Sequence, residues 1–210
     1  MPRGKLIVFE GIDGSGKSTQ IHLLARYFES LGYQVHVTAE PTNNRIGKTI
    51  RDIFSGNLEG DQHVIAALFA ADRLDHILNS VYGMKGLVEN GVIVLCDRYY
   101  LSSLAYHSVH VSMDWVQALN VKAMETLKPD VHIYINISPE ESIQRISSRN
   151  IATEMYENIE NLKSVSKAYN QIIDMYQHTE TIISIDGQKD VESIHQDIIN
   201  KLKIVINGNH

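Results

Sequence analysis

The sequence has little cysteine and no long apolar run. Cys96 is the only cysteine among 210 residues, so no disulfide can form within the chain and a reducing compartment is expected. The apolar run near the N-terminus, "LIVF" at 6–9, is too short for a signal sequence or a membrane span. The single cysteine and the lack of a long apolar segment predict a cytoplasmic protein that does not bind a membrane.

The sequence also lacks an excess of positive charge. It has 19 Lys and Arg against 25 Asp and Glu, a net charge of −6, which gives no support to a nucleic-acid or membrane partner. Hydrophobic residues make up 43%, as in ordinary globular proteins. Without repeats, low-complexity tracts or linkers, residues 1–210 are predicted to form a single domain.

Short apolar runs alternate with longer amphipathic ones. Five runs are typical of strands, at 5–10, 33–39, 91–96, 130–137 and 181–186. Between them, apolar positions at helical spacing predict helices, among them one that ends at Gly32 and others at 62–82 and 155–176. In the 62–82 helix the apolar stripe is Val64, Ala67, Leu68, Ala71, Leu74, Leu78 and Val81. The alternation predicts an α/β fold with a largely parallel sheet.

Residues 9–19, "FEGIDGSGKST", contain a phosphate-binding loop of the pattern G-x-x-x-x-G-K-[ST]. The loop follows a predicted strand and opens a predicted helix, the context that this motif requires. Its backbone N–H groups and the helix N-terminus favour phosphate. Lys17 is expected to reach the β- and γ-phosphates, and the Ser18 hydroxyl to help hold Mg²⁺. Asp13 is unexpected here, because it places an anion in an anion-binding loop.

A second candidate site is the end of "VIVLCDRYY". A carboxylate at the end of a strand, here Asp97, is what a Mg²⁺ site beside a phosphate-binding loop needs. Arg98 can bind a phosphate through two N–H groups. Alone, such a pair is more often a surface ion pair, but the phosphate-binding loop favours the functional interpretation. Cys96, inside the strand, is expected to be a small core residue.

A phosphate-binding loop does not by itself identify the reaction. A guanine-nucleotide switch should carry an N-K-x-D segment, and the sequence has none. Basic residues suited to a second phosphorylated ligand are present instead, namely Arg45, Lys48, Arg51, Arg73 and Arg98. Phe69 and Arg73, one turn apart, could stack on a base and bond its edge. From the pattern alone, the favoured alternative is that Phe69 lies in the core and Arg73 at a solvated edge.

The segments "FEGIDGSGKSTQ", "EPT", "LFAADR", "DRYYLSSLAYH" and "LKPD" occur in the order seen in thymidylate kinases. The chain therefore resembles this family of P-loop nucleoside monophosphate kinases from about residue 4 to 186. The resemblance implies a three-layer α/β/α fold with a five-stranded parallel sheet and a short helical lid at about 145–157. It implies transfer of the ATP γ-phosphate to dTMP, with Mg²⁺, in a homodimer.

The resemblance also assigns roles to individual residues. The ATP-binding set is Gly11, Ile12, Asp13, Gly14, Ser15, Gly16, Lys17, Ser18 and Thr19, with Arg145 beside adenine, and Ser18 and Asp97 serve the metal. The dTMP-binding set is Asp13, Arg51, Phe69, Arg73, Arg98, Ser102, Tyr106 and His107. Within that set, Asp13 bonds the 3′-hydroxyl, Phe69 stacks on thymine and Tyr106 crowds the 2′ position of the sugar. Phe69 and Arg73 are thus functional on this account, against the interpretation from the pattern alone.

Catalysis is expected to rest on Lys17, Arg98 and a mobile arginine. Some thymidylate kinases carry that arginine in the loop, where this chain has Gly14, so the lid residue Arg149 is the candidate. An ordinary cation at a helix C-terminus is the alternative for Arg149.

The chain departs from the family pattern at Ala39, where many members have arginine and where Lys48 or Arg45 could compensate, and at His107, where many have glutamine. His107 and His110 lie three residues apart but lack further metal ligands at useful spacing, so no metal site is expected there. The rival functions are a kinase for another deoxynucleotide and a slow nucleotide-hydrolysing switch.

Overall fold

A computed structural model describes residues 2–148, 155–156 and 158–207, the last three by backbone alone. Its strands are β1 (Leu6–Glu10), β2 (Val35–Ala39), β3 (Ile93–Asp97), β4 (Val131–Asn136) and β5 (Ile182–Asp186). Its helices are α1 (Lys17–Ser30), α2 (Arg45–Phe54), α3 (Gln62–Leu78), α4 (Met84–Glu89), α5 (Tyr100–His107), α6 (Met113–Thr126), α7 (Pro139–Ser147), α8 (Ile159–Tyr176) and α9 (Val191–Asn207). All five predicted strands and the α/β class are confirmed.

The strands form one parallel sheet in the order β2-β3-β1-β4-β5. In the register of β1 and β3, Phe9 pairs with Asp97. The loop that follows β1 therefore starts beside the carboxyl end of β3, and this placement brings the two motifs found in the sequence together. Among the described residues, no helix combines the length and apolar character needed to cross a membrane.

The hydrophobic core lies on both faces of the sheet. Leu6 and Val8 of β1 pack into one cluster with α5, α6 and α8, whereas Ile7 and Phe9 pack into a second with α1 and α9. All four side chains are fully buried, as expected for a central parallel strand that is covered by helices on both faces. This packing confirms the three-layer α/β/α arrangement.

Two predicted helix boundaries were wrong. α3 ends at Leu78, four residues early, and Val81 beyond it is 87% exposed. α8 begins at Ile159, where the Asn158 side chain accepts a hydrogen bond from the Asn161 N–H at 2.9 Å. That side-chain cap satisfies a backbone donor that a helix start leaves unpaired, and it fixes the first turn at this position.

The predicted inward face of α3 was also wrong. Val64 and Leu78, on the predicted stripe, are 50% and 54% exposed. The residues that α3 buries are Ile65, Ala66, Ala70, Asp72, Arg73, His76 and Ile77. The helix turns a partly polar face inward because its buried polar side chains find partners there, which leaves an apolar row outside.

Candidate active site

The phosphate-binding loop joins β1 to α1 and has the backbone shape that its glycines allow. Gly14 and Gly16 have φ of +76° and +95°, a region that favours glycine. A Cβ on Gly14 would lie 2.8 Å from the Ser142 carbonyl oxygen, whereas one on Gly16 would meet no atom within 4 Å. A side chain at position 14 would therefore be strained in this backbone conformation.

Lys17 lies inside the loop. Its Nζ donates to the carbonyl oxygens of Gly11 and Ile12, both at 3.1 Å. Burial, together with the nearby Arg98 charge, lowers the pKa of Lys17 to about 8, although neighbouring carboxylates oppose the shift. An incoming phosphate would supply the negative charge that this buried ammonium group lacks.

Ser18 and Asp97 form the predicted metal pair. The Ser18 hydroxyl donates to Asp97 Oδ2 at 3.0 Å. The other oxygen, Asp97 Oδ1, is buried and has no hydrogen-bond partner among the described residues. A hydroxyl and a carboxylate are hard oxygen ligands of the kind that Mg²⁺ binds, so the two residues fit the ion.

The negative charge of Asp13 in the phosphate-binding loop is paired with Arg98. Nη2 of Arg98 forms an ion pair with Asp13 Oδ1, while Tyr106 donates to Asp13 Oδ2 at 2.7 Å. Burial alone would raise the pKa of Asp13, but the charges of Arg98 and Lys17 lower it below its usual range. Arg98 also lies 4.6 Å from the centre of the Tyr106 ring. The loop carboxylate thus stays ionised and orients Arg98.

Glu10, the last residue of β1, bonds the same Ser102 hydroxyl as Arg98 and was missed by the sequence analysis. It is 1% exposed and accepts hydrogen bonds from Ser102, at 2.5 Å, and from Tyr169, at 3.1 Å. Burial raises its pKa to about 7, although Ser102 and Arg98 act in the opposite direction. Ser102 in turn accepts from Arg98 at 3.3 Å, so this carboxyl group is linked to Arg98.

A cavity of about 300 Å³ adjoins the loop and is lined by all eight predicted dTMP-binding residues. It is lined by Asp13, Gly14, Gly16, Lys17, Ser18, Thr19, Ala39, Glu40, Pro41, Arg51, Phe54, Phe69, Arg73, Asp97, Arg98, Ser102, Ser103, Tyr106, His107 and Tyr156. The Phe69 ring is 5.9 Å from that of Phe54 and 4.9 Å from His107. The cavity therefore joins an aromatic wall to a phosphate-binding end.

Arg73 is not at a solvated edge. It is 1% exposed, and its Nη2 lies 2.6 Å from Glu40 Oε2. Its Nη1 donates to Ser103 Oγ at 2.9 Å and to Asn120 Oδ1. The interpretation from the pattern alone was wrong for this residue. Glu40, Ser103 and Asn120 were missed as its partners, and only "EPT" gave a signal for the first of them.

His107 closes the aromatic wall. It is 3% exposed, and its Nδ1 has no hydrogen-bond partner among the described residues. Burial and the Arg73 charge lower the pKa of His107 to about 3, so the ring is neutral at physiological pH. His110 instead stacks on Tyr156, with ring centres 5.3 Å apart. The two histidines therefore face different partners.

A different group has the spacing of metal ligands, namely Glu40, His76 and Cys96. Its polar atoms are already bonded: Glu40 to Arg73, His76 to Thr38 at 2.7 Å, and the Cys96 thiol to the Arg98 carbonyl oxygen at 3.1 Å. Burial raises the pKa of Cys96 well above its usual value. The cluster therefore acts as a buried hydrogen-bond network, and Cys96 is a core residue, as predicted.

Arg51 lines the cavity and is held only by neutral groups. It donates to the backbone carbonyl oxygens of Pro41, at 2.9 Å, and Thr42. No ion pair with a carboxylate is found for it among the described residues. Its charge is thus available to a phosphate in the cavity.

The structure describes only residues 145–148 and 155–156 of the predicted lid. Arg145, in the last turn of α7, bonds Glu141 at 2.8 Å and the Gly187 carbonyl oxygen at 2.9 Å. Tyr156 is 7% exposed and donates to Gln62 at 2.6 Å, over the aromatic end of the cavity. Arg149 lies outside the described residues, and its predicted role stays a prediction.

Comparison with known proteins agrees with this geometry. The family model for thymidylate kinase matches residues 9–198. A probable thymidylate kinase of Methanococcus aeolicus is 41% identical over 94% of this chain and 95% of its own. One of Thermococcus gammatolerans is 38% identical (93% and 94%), and a putative one of Treponema pallidum 36% (94% of each). The chain belongs to the thymidylate kinase family.

Proposed function

We propose that this protein transfers the γ-phosphate of ATP to dTMP, giving ADP and dTDP. The observation that carries the proposal is the single cavity in which Phe69 and Arg73 adjoin the phosphate-binding loop. When the base of a nucleotide lies between the aromatic wall and Arg73, the phosphate of that nucleotide lies toward Arg51 and Arg98. The protein is on this account an ATP-dependent dTMP kinase, supplying dTDP for the synthesis of dTTP.

The acceptor is held at three points. Phe69 stacks on the thymine ring, while His107 closes the same wall. Asp13, whose two oxygens already bond Arg98 and Tyr106, keeps lone pairs that can accept a hydrogen bond from the sugar 3′-hydroxyl. Arg51 and Arg98 bind the acceptor phosphate, together with Ser102, which is bonded to Arg98. These contacts orient the attacking oxygen toward the donor.

The donor is held by the loop, with Arg145 near adenine. Lys17 leaves its carbonyl partners to bond the β- and γ-phosphates, where its charge opposes the charge that develops in transfer. Ser18 and Asp97 would hold Mg²⁺, which when bound neutralises charge on those phosphates. Since position 14 is glycine in this chain, the further arginine comes from the lid, and we assign it to Arg149.

A nucleotide switch is the rival function. A switch needs no second phosphate site, whereas Arg51 and Arg98 both line a cavity that also has a base-sized aromatic wall. A kinase for dCMP is also disfavoured, because Arg73 presents an N–H donor to the base edge. Such a donor fits the 4-carbonyl oxygen of thymine and opposes the 4-amino group of cytosine.

ADP release from ATP and Mg²⁺ tests the proposal when dTMP, dUMP, dCMP and dGMP are compared side by side. We expect fast release with dTMP, slower release with dUMP, and little with the other two. In Arg73→Ala the preference for dTMP over dCMP should shrink by about tenfold or more, since a hydrogen bond from a charged donor is lost. Equal slow release with all four nucleotides and without any would favour the switch.

We also propose that the protein is a homodimer in the cytoplasm. The homodimer is supported by the apolar row that α3 leaves exposed, which consists of Val64, Ala71 and Leu78. On the neighbouring α6, Val121 is 41% exposed. A row of exposed apolar side chains on one helix face is typical of an interface between proteins. The substrates dTMP and ATP are its small-molecule partners.

A further inference from the structure

Arg73 offers few N–H groups to a ligand, because protein acceptors occupy most of them. Both hydrogens of Nη1 are taken by Ser103 and Asn120, and Nε donates to Glu40 at 2.8 Å. Nη2 lies 2.6 Å from the same Glu40 oxygen. Of five N–H groups on a guanidinium, one on Nη2 has no acceptor among the described residues.

Asn120 breaks the pattern of the helix that carries it. Val116 and Ala123, one turn away on either side along α6, are 0% and 1% exposed, so position 120 lies on the core face of the helix. The spacing calls for an apolar residue, yet a polar one is buried there at 1% exposure. A polar group in such a place costs stability unless it is bonded, and it is retained where it has a task.

The hydrogen bonds of Asn120 fix its orientation. Its Nδ2 donates to the Val116 carbonyl oxygen at 2.8 Å within the helix. Its Oδ1 therefore points at Arg73, 47 residues away in sequence. Because Asn120 lies behind Arg73 and Ser103, which line the cavity, it acts on a ligand only through them.

We propose that Asn120 is a positioning residue for base selection: it holds Arg73 so that one N–H faces the base edge. A single fixed donor suits a carbonyl oxygen at position 4 of a pyrimidine and disfavours an amino group there. Without Asn120, Nη1 gains an unpaired hydrogen and the guanidinium can rotate about its bond to Glu40. This inference rests on the proposed function, since it concerns the same base site.

Two substitutions of nearly equal size separate this role from a structural one. Asn120→Leu removes the acceptor, whereas Asn120→Asp keeps an oxygen for Arg73, and both remove the Nδ2 donor to Val116. We expect Asn120→Leu to raise the KM for dTMP about tenfold and lower the dTMP-to-dCMP ratio of kcat/KM by a similar factor. The KM for ATP should change less than about twofold, and Asn120→Asp should keep most of the wild-type preference.

Val116→Ala is the matched control, because it weakens the packing of the same helix without touching Arg73. It should lower the thermal midpoint while the KM for dTMP and the selectivity stay at wild-type values. If the wild type selects dTMP and Asn120→Leu has the same dTMP kinetics, the inference about Asn120 is wrong while the proposed function stands. The same follows if Asn120→Leu and Asn120→Asp lose equal amounts of dTMP selectivity. A wild-type protein that does not phosphorylate dTMP would overturn the proposed function as well.

Discussion

At the scale of single residues, the site is organised by buried charges. Asp13 orients Arg98, and Glu40 orients Arg73. Each carboxylate fixes an arginine side chain at a place where a phosphate or a neutral ligand group must bind. A buried carboxylate partner costs solvation free energy, so a protein places one there when the geometry of the cation matters. The loop anion that looked misplaced in the sequence is one of these partners.

Glu10 gives a prediction for pH and stability. Its pKa is about 7 in the folded protein against 4.5 when unperturbed, so the folded state favours the protonated form. Its contribution to stability is complete below pH 4.5, falls as the pH rises toward 7, and is constant above that. Glu10→Gln mimics the protonated form and should therefore lose less stability between pH 5 and pH 8 than the wild type.

Denaturant unfolding at several pH values measures this difference. The shift in pKa sets the gap between the two curves at roughly 3 kcal/mol as an upper limit. Ser102 and Tyr169 can still donate to the amide oxygen of the variant, so its fold should persist. Parallel curves for wild type and Glu10→Gln would show that Glu10 is ionised in the folded protein throughout.

At the scale of elements, α3 has a buried face at the cavity and an exposed face that we propose to lie in an interface. Its inner face presents Arg73 and His76 to buried acceptors, and Phe69 borders the cavity. Its outer face carries the apolar row that we assign to a dimer interface. A helix with apolar side chains on an exposed face and polar side chains on its buried face has no single apolar stripe that marks the core. For this reason the inward face of α3 was predicted wrongly from the sequence.

Leu78→Glu tests the interface on α3. A carboxylate in an apolar contact between two chains is desolvated without a partner, so the variant should sediment as one chain where the wild type sediments as two. Leu31→Glu is the control, since Leu31 is the C-cap residue directly after α1 and is 56% exposed against 54% for Leu78. It should leave the dimer intact. A wild-type protein that sediments as one chain would contradict the assignment.

At the scale of the whole molecule, the features predicted best were those formed by a continuous stretch of sequence. The phosphate-binding loop and the Asp97-Arg98 pair are short motifs at the ends of β1 and β3, and parallel pairing of these strands brings them together. The buried strands were also predicted, because a central parallel strand is apolar on both faces.

What the sequence could not provide is the set of partners that come from far away in the chain. Arg73 bonds residues 30, 33 and 47 positions distant, and a periodic pattern does not encode such pairings. The single-domain organisation and the role of Arg149 stay predictions, as do the individual residue roles that the resemblance assigns.

Transfer of labelled phosphate tests the central claim most directly. Wild-type protein would be incubated with ATP labelled at the γ-phosphate, Mg²⁺ and dTMP, and the nucleotides separated. We expect the label to appear in dTDP, in amounts equal to the ADP formed, because the cavity places the acceptor phosphate beside the donor. Label recovered as inorganic phosphate at a rate that dTMP does not change would contradict the account and leave a nucleotide hydrolase.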